Sequence, residues 1–168
     1  EFVPVHVGLS HHGVSGSHSV AMLRPMNADG MRRVSLAGGF FKEQFIRQLR
    51  DCLADLDVES VVALLQGEEE TSFQFNENEM AQLRAVAFDY RGYESSMRVI
   101  ELLVLEAIRS GCFEGCLSVE EQRLMVRRVL QGQEWNSLVA ELGFTGRKAG
   151  IKQFRRSVGK LLGCIAVH

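Results

Sequence analysis

The stretch from Ser118 to Thr145, SVEEQRLMVRRVLQGQEWNSLVAELGFT, is the part of the chain from which we predict its fold. Ser118 and Glu121 have the spacing of a capping box, which marks the start of a helix. Gly132 ends this helix and Gly143 ends a shorter second one, because glycine readily adopts the left-handed conformation found at helix ends. The stretch therefore predicts two helices joined by a short turn.

The second and third helices of this region each have one apolar face. In the short second helix that face contains Trp135, Leu138, Val139 and Leu142. A third helix is predicted from Gly146 to about Leu162, with Thr145 as its N-cap. Its apolar positions are Ile151, Phe154, Val158, Leu161 and Leu162. This spacing predicts that both helices pack against a common core and that Trp135 lies in it.

The opposite face of the third helix concentrates positive charge. Six basic residues and no Asp or Glu lie between Gly143 and His168, namely Arg147, Lys148, Lys152, Arg155, Arg156 and Lys160. From Ser118 to the end there are nine Lys and Arg against four Glu, whereas residues 1–117 contain ten against seventeen Asp and Glu. A localised positive field attracts polyanions, so the sequence indicates nucleic acid as the partner.

A helix, a short helix, a glycine-containing turn and a basic helix form the pattern of a helix-turn-helix. Residues 118–162, and above all 131–145, resemble the fourth region of bacterial sigma factors and phage late-gene regulators of the Q antitermination type. The resemblance implies double-stranded DNA as the ligand and RNA polymerase, or another transcription protein, as a partner. Val139, Ala149 and Lys152 depart from the pattern of those families.

The predicted DNA-binding residues are Thr145, Arg147, Lys148, Lys152, Arg155, Arg156 and Lys160. Arg147 and Lys148 lie near the start of the third helix, where bases or phosphates are contacted, and Thr145 can hold a phosphate together with the helix N-terminus. Arg155, Arg156 and Lys160 lie further along, where contacts to phosphates give affinity without sequence preference.

The remainder of the chain is predicted to form a segment 1–39 and a helical body 40–117. Alternating apolar residues predict strands at Val3–Leu9, Val20–Leu23 and Arg33–Leu36, with a turn at Asn27–Gly30. A flexible arm and a small β element both remain open for residues 1–39.

The helical body begins at Phe40, where apolar residues start to recur every three or four positions. Asn76 and Glu79 have capping-box spacing, which predicts a helix start there. The helix from Glu94 to Ser110 is apolar on most faces, so it is expected at the centre of a core or in a homodimer interface.

Cysteine and histidine offer weak support for a metal site. Four widely spaced cysteines, Cys52, Cys112, Cys116 and Cys164, are not typical of a disulfide framework, so a reducing cytoplasm is expected. Cys112 and Cys116 have a tolerable spacing for zinc, but Cys164 and His168 would have to fold back to complete the site. His11, His12 and His18 are more simply part of an arm. We therefore predict no metal, no cofactor and no catalytic residue.

The predicted fold is mainly α, with a helical body, a C-terminal helix-turn-helix (118–168) and a small β element as an option at the N-terminus. No apolar stretch is long enough to span a membrane.

The predicted function is that of a DNA-binding transcription regulator of phage or mobile-element type, an antiterminator or activator, and not an enzyme. Two alternatives remain. One is an anti-regulator or adaptor whose basic helix binds an acidic protein, and the other is a small metal- or cysteine-dependent enzyme.

Overall fold

A computed structural model describes residues 2–9, 18–67, 73–89 and 91–165. The chain divides into two compact units, Glu1–Asp57 and Val58–His168. Helices dominate and one two-stranded sheet is present among the described residues, so the predicted mainly α fold is confirmed. The predicted boundary between residues 39 and 40 falls inside a helix, and the roles assigned to the three predicted segments stay predictions.

The first unit contains a small antiparallel sheet and one long helix. Strand β1 (Val3–Val7) pairs with β2 (Val20–Leu23), with an irregular register between Pro4 and His6. Both strands were predicted from alternating apolar residues, and they explain why this part of the sequence lacks a helical period. Helix α1 (Ala28–Gln48) follows and packs against β1.

The predicted turn at Asn27–Gly30 and the predicted strand at Arg33–Leu36 are wrong. The Oδ1 atom of Asn27 accepts a hydrogen bond of 2.7 Å from the amide of Gly30, so these residues start α1. Asparagine favours turns and helix caps alike, because in both settings its side-chain oxygen accepts a hydrogen bond from a nearby backbone amide. The period change at Phe40 therefore lies within α1 and does not mark its start.

The second unit is built from helices. In chain order they are α2 (Val58–Leu65), α3 (Glu77–Phe88), α4 (Met97–Arg109), α5 (Cys112–Cys116), α6 (Val119–Met125), α7 (Trp135–Glu141) and α8 (Arg147–Ile165). A 3₁₀ turn, Glu94–Ser96, precedes α4, and a π-helical turn, Val126–Leu130, continues α6.

Helix α4 is the centre of the second unit. It packs against α2, α3, α5 and α8, and Ile100, Leu103, Val104 and Ile108 are fully buried. The prediction of a central helix is confirmed, because apolar residues on most faces require neighbours on most sides.

Both predicted capping boxes are present. The side chain of Asn76 accepts a hydrogen bond from the Glu79 amide, while Glu79 accepts one from the Asn76 amide, each at 2.9 Å. Ser118 and Glu121 form the same reciprocal pair at the start of α6. These local signals determine where α3 and α6 begin.

No helix among the described residues combines the length and the apolar character that crossing a membrane requires.

Candidate nucleic-acid interface

The C-terminal helices form where the sequence predicts them. Helices α6, α7 and α8 follow in order, and Gly143, with φ +66°, ends the α7 region in the left-handed conformation. Gly150 is buried where α7 crosses α8. A Cβ atom at this position would lie 2.9 Å from Cζ3 of Trp135, so glycine permits the two helices to approach closely.

An aromatic cluster packs against the buried side of α8. Tyr93, Trp135 and Phe154 are buried, and their ring centroids lie 5.2 to 6.0 Å apart in edge-on arrangements. The prediction that Trp135 lies in the core is confirmed. Edge-to-face packing of three rings fixes the position of α8 relative to the loop before α4.

The solvent side of α8 carries a row of cations, which we call the basic face: Lys148, Lys152 and Arg156. All three side chains are exposed, whereas Phe154, Val158 and Leu161 on the other side are buried. The three cations are four residues apart, so they follow one another about 6 Å apart along the helix. Thr145 and Arg147 are also exposed at the start of α8.

Lys160 is held by a partner inside the protein. Its Nζ atom donates to both carboxylate oxygens of Glu121 at 2.7 Å, and Gln153 Nε2 donates to Glu121 Oε1 at 2.7 Å. Glu121 is buried and also accepts from the amide of Ser118. The pair therefore links α6 to α8. The phosphate contact predicted for Lys160 stays a prediction, and it would compete with this pair.

Burial of Glu121 acts to raise its pKa, but the hydrogen bonds from Lys160 and Ser118 outweigh this effect. The charge of Lys160 and the amide of Gln153 add to them, and the pKa of Glu121 falls below its usual value. The carboxylate is therefore ionised at neutral pH and keeps Lys160 oriented.

Other arginines near this region contact neighbouring protein groups. Arg155 Nη2 donates to the Arg91 carbonyl at 2.9 Å. Arg128 donates to the Gln133 carbonyl and lies 5.5 Å above the ring of Trp135. Arg127 forms an ion pair with Glu141 at 3.3 Å. These contacts distinguish the anchored arginines from the exposed cations of the basic face.

A groove of about 420 Å³ lies beside the basic face, lined by Ala87, Phe88, Arg155, Arg156, Gly159 and Lys160. Phe88 is 64% exposed, although it ends a helix whose Leu83 and Val86 are buried. The Phe88 ring packs close to Gly159: a Cβ atom added at Gly159 would lie 3.4 Å from the ring, which is an ordinary contact distance. Phe88 was not among the predicted site residues, although it is an aromatic residue outside the apolar stripe of α3.

Two of the cysteines are bonded to each other although they lie 48 positions apart in the sequence. Cys116 on α5 and Cys164 on α8 are joined as a disulfide, with Cα atoms 6.7 Å apart. The widely spaced cysteines did not predict this bond, which is possible because α5 packs against α8 near its C-terminal end. Cys112 is a buried free thiol next to them, and Cys52 is exposed.

Of the three histidines considered as metal ligands, one lies among the described residues. His18 is described, and its Nδ1 atom lies 2.7 Å from the carbonyl oxygen of Gly8. His11, His12 and His168 lie outside the described residues. The position of His18 is accounted for by this contact with the strand region.

The chain is similar to proteins named tRNA(Met) cytidine acetyltransferase TmcA. It is 27% identical over 163 residues to the protein from Nitrosococcus halophilus, which covers 96% of this chain and 22% of that protein. The protein from Haloarcula marismortui is 27% identical over 145 residues, which cover 86% of this chain and 19% of that protein. TmcA 2 from Saccharolobus solfataricus is 25% identical over 137 residues, which cover 80% of this chain and 18% of that protein. The chain thus spans about a fifth of the length of these curated relatives. No family model matches the chain.

These similarities overturn the predicted identity and function. The relatives are named as RNA-modifying enzymes, so the resemblance to sigma-factor and Q-type regulators is wrong, as are the predicted transcription function, the double-stranded DNA and RNA polymerase partners and the non-enzyme assignment. The two alternatives, a protein adaptor and a small metal- or cysteine-dependent enzyme, do not match the relatives either. Caps, glycines and amphipathic spacing create the helix-turn-helix pattern, and they specify helix packing rather than a DNA ligand.

Proposed function

We propose that this chain is part of a tRNA-modifying acetyltransferase and that its second unit, Val58–His168, binds RNA. The single observation that carries the proposal is the exposed basic face of α8 beside the groove of Phe88. The names of the relatives supply the substrate class, and the surface supplies a physical means of holding it.

The basic face has the charge that an RNA backbone needs. Lys148, Lys152 and Arg156 are exposed, and the helix that presents them contains no acidic residue. Each contact with a phosphate releases condensed counterions, which favours binding at low salt. Three cations in one row would follow the backbone of a single RNA strand. Thr145 and Arg147 extend the proposed contact surface toward the start of α8.

The groove adds an aromatic ring on which a nucleobase can stack. Phe88 offers an exposed ring, and Arg155, Arg156 and Lys160 surround the groove that contains it. Proteins recognise unpaired RNA bases by stacking them on aromatic rings while cations hold the adjacent phosphates. We propose that an unpaired nucleotide of the RNA stacks on Phe88.

This combination favours RNA with loops over a regular duplex. In duplex DNA the bases are stacked on one another, so a base would have to leave the helix before it could reach Phe88, and this costs a few kcal/mol. A folded tRNA already contains unpaired bases in its loops. A cytoplasmic location, predicted from the sequence, accords with such a substrate.

Competition binding with the 168-residue chain tests this proposal. Labelled tRNA(Met) is bound at about 100 mM salt and then displaced by unlabelled tRNA, by fully paired RNA or by duplex DNA. We expect tRNA to compete about five- to hundredfold better than either duplex, since one stacked base contributes ~1–3 kcal/mol. Equal competition by duplex DNA, or no binding of tRNA, would overturn it.

A further inference from the structure

Three cysteine sulfur atoms meet between α5 and α8. Cys112 and Cys116 are four residues apart on α5, so they lie on one face of that helix, and Cys164 approaches them from α8. The three Sγ atoms all lie within 4.8 Å of one another. None of these residues belongs to the basic face or to the groove.

A disulfide does not explain the third sulfur. The bond between Cys116 and Cys164 uses two of the three atoms and leaves Cys112 beside them as a buried thiol. We propose that, once this disulfide is opened by a thiol or phosphine reductant, Cys112, Cys116 and Cys164 bind one Zn²⁺ as thiolates. The inference is independent of the proposed RNA binding.

The geometry suits a thiolate-bound metal ion. Zinc binds thiolate sulfur at about 2.3 Å, so sulfurs that share one ion lie no more than about 4.6 Å apart. The described spacing is within reach of this arrangement after small side-chain rotations. Three protein ligands with water as the fourth is a known coordination of zinc. Soft sulfur ligands favour zinc over the hard cations magnesium and calcium.

The surroundings support thiolates that are partly protected and still accessible. Cys112 is buried, whereas Cys116 and Cys164 are half-buried, which leaves a route for an ion. Ser110 Oγ lies 3.4 Å from Cys112 Sγ, within hydrogen-bonding distance of the proposed ligand. Groups of this kind orient metal ligands from outside the coordination shell.

Binding exchanges protons for the ion. The three thiols release three protons as the three zinc–sulfur bonds form, so no oxidant or reductant is needed in this step. The ion would join α5 to the C-terminal part of α8 and thereby stabilise the helix that carries the basic face. Zinc binding should therefore raise the melting temperature of the reduced protein.

The test compares the reduced chain with and without metal. The protein is reduced with a phosphine, freed of metal and titrated with Co²⁺ and then Zn²⁺. We expect one ion per chain, an intense thiolate-to-cobalt absorption band that zinc removes, and a higher melting temperature with zinc.

Two cysteine variants separate this site from a plain disulfide. Cys112→Ser keeps the Cys116 and Cys164 pair, so it can still form the disulfide, but it should bind Co²⁺ at least about tenfold more weakly. Cys52→Ser, at an exposed cysteine outside the cluster, should bind as the wild type does. Absence of the cobalt band in fully reduced wild-type protein, or equal affinity of Cys112→Ser, would overturn the proposal.

Discussion

Trp135 Nε1 donates a buried hydrogen bond of 2.6 Å to the hydroxyl oxygen of Tyr93, 42 residues earlier in the chain. The bond joins α7 to the loop that leads into the central helix α4. Both side chains are almost fully buried, so neither polar atom could find water if the other were removed. This contact and the ring packing around it hold the base of α8 in place.

Tyr93→Phe should therefore destabilise the protein by about 1–3 kcal/mol, because the indole N–H of Trp135 would remain buried without its partner. Trp135→Ala should cost about 3–5 kcal/mol, since it also removes the ring from the core. Urea denaturation measures both changes. A free energy of unfolding within error of the wild type for Trp135→Ala would contradict the packing described.

Two glycines of α8 should respond in opposite directions to alanine. Gly150→Ala should lower the free energy of unfolding by about 1–3 kcal/mol, because the new methyl group meets the Trp135 ring. Gly163→Ala has open space around the added atom and should raise it by up to about 1 kcal/mol, since alanine favours a helix over glycine. Thermal melts of both variants under one condition give the comparison. Equal shifts would contradict the role of Gly150 in helix contact.

The pair of Glu121 and Lys160 predicts a dependence of stability on pH. The folded state holds the pKa of Glu121 below its usual value, so its contribution is complete at neutral pH. This contribution should be lost as the pH falls below about 4.5 and through the lowered pKa, because the unfolded state then binds a proton that the folded state does not yet bind. Chemical denaturation of wild-type protein and Glu121→Gln from pH 7 to pH 3 measures this, with the difference expected to shrink on acidification. A constant difference over the whole range would argue against it.

Phe88 gives a test of base stacking that leaves the charge unchanged. Phe88→Ala should weaken tRNA binding by about 1–3 kcal/mol, whereas Phe88→Tyr should retain most of it, because tyrosine keeps the stacking surface. The ring is exposed, so the free energy of unfolding should change little in either variant. Equal tRNA affinity for Phe88→Ala and wild type would contradict base stacking on Phe88, but it would not contradict the phosphate contacts.

Local signals predicted much of the helical structure. The capping boxes at Asn76 and Ser118, and the glycine at 143, act through contacts between residues close in sequence, so a single sequence shows them. The start of α1 was missed because Asn27 has the chemistry of a turn and of a cap alike. Only the surrounding chain decides between these two uses.

The site was harder to predict, because its important contacts join residues far apart in sequence. Glu121 and Lys160 are 39 positions apart in the sequence, and Arg155 contacts the backbone of Arg91, which is 64 positions away. Of the predicted cations, Lys148, Lys152 and Arg156 are exposed on one face of α8, but the sequence could not show that Phe88 lies beside them. The polyanion was wrongly predicted to be double-stranded DNA, since a positive face attracts DNA and RNA alike.

The central claim is that the basic face of α8 holds RNA, and neutral substitutions test it without changing helix propensity much. The variant Lys148→Gln, Lys152→Gln, Arg156→Gln removes three exposed charges from this face. A matched control removes three charges elsewhere, at Arg32, Arg33 and Arg123, whose ion-pair partners are Asp29 and Glu59.

The most direct measurement is the Kd of tRNA for wild type, basic-face variant and control over a salt series. We expect the basic-face variant to bind at least about tenfold more weakly, with the slope of log K against log salt reduced by about 2 to 3, as the loss of three phosphate contacts requires. The control should keep the wild-type slope. Unchanged affinity and slope in the basic-face variant, or an equal loss in the control, would contradict the account.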